Sequence, residues 1–203
     1  MAIINQATKE LQVKIVYYGP GKGGKTTNLE QVHGNVQNVQ EKGKLISLAT
    51  SSDRTLFFDF LPIEAMSIKG FKTKFQLYTV PGQVIYNTTR QLVLRGVDGV
   101  VFVADSQYDK MADNVESFAN LEENMKALKL NLGDIPYVLQ YNKRDLPNAA
   151  PVEYMDFLLN NREVQVPSFA ASATRCDGVF DTLNMITRLL LNKFINEGTR
   201  KVA

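Results

Sequence analysis

Apolar runs alternate with amphipathic stretches along the whole chain. Val13-Lys14-Ile15-Val16-Tyr17-Tyr18 reads as a strand, and the residues from Thr26 to Glu30 open a helix. Val100-Val101-Phe102-Val103-Ala104 is continuously apolar, as a strand buried on both faces requires. Tyr137-Val138-Leu139-Gln140-Tyr141 predicts a further strand. Between these two, Met111, Val115, Phe118, Leu121, Met125 and Leu128 recur at steps of three and four, which predicts one core-facing helical stripe. Phe180, Leu183, Ile186, Leu190 and Phe194 do the same for the last helix. Strands alternating with helices predict an α/β fold, a mostly parallel sheet with helices on both faces. A short leading run, set off by residues 5–9, predicts an extra N-terminal strand.

The stretch from the first helix to Phe71 is less regular. Residues 35–44 are polar and contain glycine. Leu56-Phe57-Phe58-Asp59-Phe60-Leu61 then reads as a strand, and Thr73, Phe75 and Leu77 alternate with Lys74, Gln76 and Tyr78 in the next. This pair is expected at an antiparallel edge, with lysines blunting it. Three phenylalanines exceed what one buried face needs, which leaves two-sided packing or a partner surface.

Composition narrows the class. A chain of 203 residues fits one domain, 1–203, with ample core. Hydrophobic content of 44% and charge of 22% are ordinary for a globular protein, and a net charge of +2 gives no drive toward nucleic acid or an anionic membrane. Lone Cys176 excludes an internal disulfide and fits a reducing cytosol. It reads as a small buried hydrophobe, with a redox influence on the neighbouring loop as the alternative. His33 falls near the end of the first helix. The chain shows neither a signal peptide nor a long apolar span, begins Met-Ala-Ile, and ends Arg200-Lys201-Val202-Ala203 without a prenylation cysteine. A cytoplasmic protein with no lipid anchor is expected.

Two motifs carry the chemistry. Gly19-Pro20-Gly21-Lys22-Gly23-Gly24-Lys25-Thr26 fits G-x-x-x-x-G-K-[ST]. In that loop backbone N–H groups cradle phosphates, the lysine reaches the β/γ-phosphates and the hydroxyl takes Mg²⁺. The strand before it and the helix after it are the setting the motif needs, because the helix N-terminus adds its own positive end. Far downstream, Asn142-Lys143-Arg144-Asp145 follows a strand, at the carboxyl end where open α/β sheets bind ligands. A carboxylate at Asp145 accepts both donors of the guanine Watson–Crick edge and would face an acceptor on adenine. A site built around such a pair rejects the wrong base strongly.

These motifs, with Pro81-Gly82-Gln83 between them and Ser172-Ala173-Thr174 after them, resemble the ordered motif set of the Ras-like small GTPases, across nearly the whole chain. Tyr17-Tyr18-Gly19-Pro20-Gly21, the run Arg54-Thr55-Leu56-Phe57-Phe58-Asp59-Phe60-Leu61-Pro62, Tyr78-Thr79-Val80-Pro81-Gly82-Gln83 and Leu94-Arg95-Gly96-Val97-Asp98-Gly99 narrow the resemblance to the bacterial MglA-type GTPases, which control cell polarity and gliding motility. The resemblance implies a six-stranded small G-domain sheet. It implies GTP and GDP as ligands, Mg²⁺ as cofactor, and a protein that is monomeric by itself. Its partners would be a roadblock-domain (MglB-type) GTPase-activating protein and polarity or motility effectors, and recruitment to a cell pole would come through partners.

Residue by residue, the resemblance assigns the phosphate loop to Gly19, Gly21, Lys22, Gly23, Gly24, Lys25, Thr26 and Thr27. Gly21 passes the γ-phosphate, where a side chain would crowd the transition state. Gly82 belongs to the nucleotide site, and Gln83 orients the attacking water. Thr55 completes the Mg²⁺ shell with Thr26, with Thr50 as the alternative. Asn142, Lys143, Asp145, Ser172, Ala173 and Thr174 form the base site, with the Ala173 N–H meeting guanine O6 and the Lys143 stem lying along the base. Arg54 is an internal arginine finger; its alternative is a solvated loop arginine. One position departs from most Ras-like proteins: Thr79 stands where an aspartate holds a Mg²⁺ water. Asp59 and Asp53 are the candidates to supply that charge. The competing functional reading is a catalytically idle GTP-binding scaffold.

Overall fold

A computed structural model describes residues 3–5, 8–37, 39–49, 55–68 and 70–200. Among them, strands β1 (Ile3–Asn5), β2 (Glu10–Tyr18), β3 (Val39–Lys42), β4 (Ile46–Ala49), β5 (Thr55–Ile68), β6 (Phe71–Thr79), β7 (Gly99–Asp105), β8 (Tyr137–Asn142) and β9 (Ser168–Ala170) form a single sheet. Its frame is the six-stranded order β5-β6-β2-β7-β8-β9, in which all neighbours are parallel except the antiparallel pair β5–β6. The expected N-terminal strand is present as β1, antiparallel to the first residues of β2.

Helices α1 (Lys25–Asn35), α2 (Asn87–Leu94), α3 (Met111–Ala127), α4 (Val152–Leu159) and α5 (Val179–Arg200) cover the sheet. Leu29 and Val32 of α1 and Leu183, Ile186 and Leu190 of α5 pack on one face, with Val13, Ile15 and Tyr17 of β2. The other face receives Val93 of α2, Phe118 and Leu121 of α3 and Met155 of α4, with Val16 and Tyr18. Both faces of β7 and β8 are therefore buried, and every residue of these two strands is buried, as the apolar run of β7 required. After β2 the chain builds β5 and β6 on one side, then crosses to β7 on the other. That reversal places the loop after β2 at the topological switch point, where such sheets bind ligands. Among the described residues no helix is long and apolar enough to cross a membrane.

Two local expectations change and one open alternative is narrowed. Strands β3 and β4 occupy much of the stretch expected to be irregular, and both pair antiparallel with β5. β5 is therefore covered rather than an edge. Val39, Gln40, Glu41 and Lys42 mix polar with apolar residues, so no period-2 signal marks β3. Second, Val115 is 44% exposed and does not belong to the α3 stripe. The helix instead buries Asn114, which brackets Asp105 at the end of β7 by accepting from its N–H (2.9 Å) and donating to its carbonyl (2.8 Å). That pair fixes the rotation of α3. Third, Phe58 and Phe60 both stack on Tyr78 of β6, with ring centroids 5.9 and 4.7 Å apart. These two phenylalanines lie on the face opposite Leu61 and Ile63, so two-sided packing accounts for them, and the side chain of Phe57 lies outside the described residues.

Candidate functional site

The phosphate loop is built by close backbone approach. Gly19 (φ 143°) runs under β7, where a Cβ would stand 2.1 Å from the Val103 carbonyl oxygen. Gly24 (φ 100°) lies against Asn142, where a Cβ would stand 2.1 Å from Nδ2. Only glycine fits either position. The loop delivers the chain into α1, whose first residue is Lys25, so the helix N-terminus points at the cavity. A buried amide pair fixes α1 from behind: Asn28 and Gln140 exchange hydrogen bonds of 2.8 and 3.0 Å, and Gln140 also donates to Thr182 of α5. Sequence reasoning missed these residues. The available signal was Gln140 itself, a polar residue inside an otherwise apolar buried strand.

A cavity of about 310 Å³ opens over this loop, walled by the loop residues 21–27 and by Val80, Gly82, Gln83 and Tyr86. Lys25 is buried and folds back, its ammonium donating to the Gly19 carbonyl (3.0 Å) and the Pro20 carbonyl (2.7 Å). Burial, helped by the nearby Arg90 charge and partly opposed by Asp59, pushes its pKa down to about 7. Gly82 presses on the loop, and a Cβ there would come within 2.4 Å of Gly21 Cα. A Cβ on Gly21 would meet Gln83 Cγ at 3.8 Å, an ordinary contact. The structure therefore brings Gln83 over Gly21, and crowding at Gly21 would have to come from the phosphate rather than from the protein.

The Thr79 departure has a structural counterpart. Asp59 of β5 is fully buried, and its Oδ2 accepts from the Thr26 hydroxyl (2.6 Å) and from the Thr79 hydroxyl (2.8 Å). Thr79 Oγ1 in turn accepts from the Asp59 N–H (2.9 Å). The carboxylate missing at position 79 is thus supplied from the neighbouring strand, beside the hydroxyl expected on the metal. A hydroxyl that donates to a carboxylate keeps its lone pairs for a cation. No group of three or more His, Cys, Asp or Glu side chains could hold a metal among the described residues. Mg²⁺ suits such a place, because it takes few protein ligands and completes its shell with phosphates and water. Thr55 begins β5; its side chain, and Arg54, Thr50 and Asp53, lie outside the described residues.

The second half of the site adjoins the first. A cavity of about 250 Å³ is lined by Lys22, Gly24, Thr27, Asn142, Lys143, Asp145, Leu146, Ala173 and Thr174, and it shares Lys22, Gly24 and Thr27 with the phosphate cavity. Asn142 is the cross-tie: its Nδ2 donates to the Gly23 carbonyl (2.8 Å) and its Oδ1 accepts from the Ala173 N–H (2.8 Å). A base O6 at Ala173 would have to share or displace that bond. Asp145 Oδ1 accepts from the Ser172 hydroxyl (2.7 Å), and this bond holds its pKa below the ordinary carboxylate value. Lys143 (φ 66°) pairs with the buried Asp105 at 2.5 Å, a partner sequence reasoning did not foresee. Cys176, also left-handed (φ 63°), is half-buried behind the loop and packs on the α1–α5 side of the core.

Known proteins share this sequence in part. The Ras family model matches residues 14–192. The protein "Mutual gliding-motility protein MglA" of Myxococcus xanthus (strain DK1622) is 54% identical over 198 residues, covering 98% of this chain and 100% of the relative. "Ras-related protein Rab-13" of Canis lupus familiaris is 27% identical over 140 residues, 68% of this chain and 66% of its own. An uncharacterised protein of Methanocaldococcus jannaschii, MJ1339, is 26% identical over 180 residues, 88% of this chain and 97% of its own. With the phosphate loop, the guanine motif and the six-stranded frame all in place, the chain belongs to the Ras family, as a small GTPase of the MglA type.

Proposed function

We propose that this protein is a GTP-hydrolysing switch that controls cell polarity and gliding motility through partners that read its nucleotide state. The observation that carries this reading is the continuity of the two cavities, which share Lys22, Gly24 and Thr27, with Asp145 at one end and Gln83 at the other. A guanine nucleotide fits that span with its base at Asp145 and its phosphates on the loop. Lys25 gives up its contacts to Gly19 and Pro20 and turns its charge to the β- and γ-phosphates. Thr26, steadied by Asp59, holds the metal with Thr55. Bound Mg²⁺ neutralises phosphate charge. Gln83 orients water, and Arg54 meets the charge that develops in the transition state.

The placement of Gln83 against Gly21 favours a working enzyme over an idle nucleotide-binding scaffold. An internal Arg54 leaves a roadblock-domain (MglB-type) activator with one task, to hold the switch segments in the productive arrangement. Effectors that recognise this arrangement would take the protein to a cell pole. Single-turnover phosphate release tests the reading. Intrinsic release on the order of 10⁻⁴–10⁻² s⁻¹ is expected, rising with the activator. Tight GTP binding without phosphate release, with or without the activator, would favour the scaffold. In Arg54→Ala, activated release should fall toward the intrinsic rate. An unchanged activated rate would remove the internal finger.

A further inference from the structure

The largest fully buried side chain among the described residues is a charged one, Arg90 of α2. No carboxylate among the described residues forms an ion pair with it; carbonyls, amides and a phenol surround it instead. Its Nε donates to the Pro81 carbonyl (2.9 Å) and its Nη2 to the Gly82 carbonyl (2.5 Å). On the other side Nη1 donates to Asn120 Oδ1 (2.6 Å) and lies 3.3 Å from the Tyr18 hydroxyl, while the guanidinium sits 4.9 Å above the Tyr18 ring. Asn124 and Asn87 close this polar platform: Asn124 Nδ2 donates to Tyr18 Oη (3.0 Å) and to Asn87 Oδ1 (2.7 Å). Burying such a charge is expensive, and it persists only where its donors are well satisfied.

Two consecutive carbonyls are thus drawn inward by one rigid fork. In a trans peptide the C=O and the following N–H point in opposite directions. Pulling in the Pro81 and Gly82 carbonyls therefore turns the N–H groups of Gly82 and Gln83 outward, and both residues wall the phosphate cavity. Neither N–H donates to a protein acceptor among the described residues. Adjacent backbone N–H groups aimed at one concavity are an anion site.

We infer that Arg90 is a positioning residue of the switch: from behind, it aims the Gly82 and Gln83 N–H groups at the γ-phosphate and so makes this segment sensitive to the terminal phosphate. The inference rests on the GTP-hydrolysing reading above. Arginine suits the task better than lysine because its planar fork reaches two carbonyls while a third donor anchors on α3.

The test compares Arg90→Lys with the paired variant Arg90→Met/Asn120→Leu, which removes the charge together with its Asn120 acceptor, so that neither is left facing the gap of the other, and frees the Pro81 and Gly82 carbonyls. Thermal midpoints certify folding. Affinities for GDP and for a non-hydrolysable GTP analogue, and single-turnover hydrolysis, are then measured beside the wild type. In the paired variant the ratio of analogue to GDP affinity should fall about 10- to 100-fold, hydrolysis should fall by a similar factor, and GDP affinity should stay within about threefold. Arg90→Lys should lie between it and the wild type. Equal loss for both nucleotides would mean Arg90 only supports the fold, and an unchanged ratio would mean the fork does not aim the N–H pair; either result overturns the inference. A wild type that releases no phosphate overturns the functional reading, whereas a releasing wild type with indifferent folded variants overturns the role of Arg90 alone.

Discussion

The two ends of the nucleotide site are built from different material. At the base end, side chains are tied to one another in advance: Asn142 links Gly23 to Ala173, Ser172 holds Asp145, and Asp105 holds Lys143. At the γ-phosphate end, the contacts are backbone leaning on backbone, with Gly82 against Gly21 and the Pro81 and Gly82 carbonyls held from behind by Arg90. A prearranged side-chain site discriminates among ligands without moving. A backbone segment resting on a loop answers to whatever comes between them. On the proposed function, identity of the nucleotide would be read at one end and its phosphorylation state at the other.

The base end should break hardest. In Asp145→Asn a neutral amide replaces the acceptor of both guanine donors, and the Ser172 hydroxyl loses its charged partner. GTP and GDP affinity should each fall by about 4 kcal/mol, roughly a thousandfold, because buried polar groups are left unpaired. Xanthine nucleotides, with an oxygen at C2, should recover part of the loss. Competition binding reads both effects, and equal competition by ATP and GTP for the wild type would sink the guanine assignment.

The phosphate end should break selectively. Gly82→Ala places a Cβ 2.4 Å from Gly21 Cα and 2.8 Å from the Pro20 carbonyl oxygen, and no side chain can yield to relieve it. The segment must swing off the loop. Hydrolysis should fall about 100-fold, as for other displacements of catalytic groups, while GDP affinity stays within about threefold. A matching loss of GDP affinity would mean that Gly82 serves the whole loop rather than the terminal phosphate.

The metal position comes next, with an expected effect at or below that at the phosphate end. Asp59→Asn removes the charge beside Thr26 and should weaken Mg²⁺ affinity in the nucleotide complex about 10- to 100-fold, the range for losing an outer-shell partner. The converse change, Thr79→Asp, restores the residue usual in the wider family and should not rescue anything here. Thr79 Oγ1 lies 2.8 Å from Asp59 Oδ2, so a second carboxylate would meet the first, and like charges at that distance repel. A lower thermal midpoint is expected for Thr79→Asp, and a midpoint at or above wild type would remove Asp59 from this role.

Some of this was legible from residues alone. The apolar run of β7 and the glycine spacing of the phosphate loop each admit few conformations, so pattern determined place. The departure at Thr79 pointed to Asp59 and Asp53, because a metal site must find its charge somewhere; the structure places Asp59 against Thr26 and Thr79, and Asp53 lies outside the described residues. Arg90 and Val115 show where legibility ends. An arginine in an amphipathic helix reads as a surface residue, since charges are almost never fully buried without a partner, and the amides Asn120 and Asn124 that meet it and Tyr18 lie on another helix. Val115 fitted the helical stripe, but the Asn114 bracket on Asp105 sets the rotation of α3, and a pattern of apolar positions does not weigh a polar clamp. β3 and β4 exist because β5 offers them an antiparallel partner, which is a tertiary fact and not a local one.

The smallest expected effect reports directly on the phosphate end. In the nucleotide-free protein the Lys25 pKa is pushed down to about 7, first by burial and then by the Arg90 charge. Its unfolded value is about 10.4, so between these values the unfolded chain binds more protons, and this group makes the empty protein more stable as pH rises from 7 toward 10.4. Below pH 7 the cost of burying the charge is fully present. Phosphates reverse the situation, because an anion at the ammonium restores the charged form. GDP binding at pH 8 should therefore take up a proton, with the uptake approaching about one near pH 9 and vanishing below about pH 6, and affinity should decline as pH rises above 7. Titration calorimetry in buffers of different ionisation enthalpy counts that proton. No uptake at pH 8 would mean that the carbonyls of Gly19 and Pro20 already keep Lys25 charged, and that the loop awaits phosphate with its cation formed.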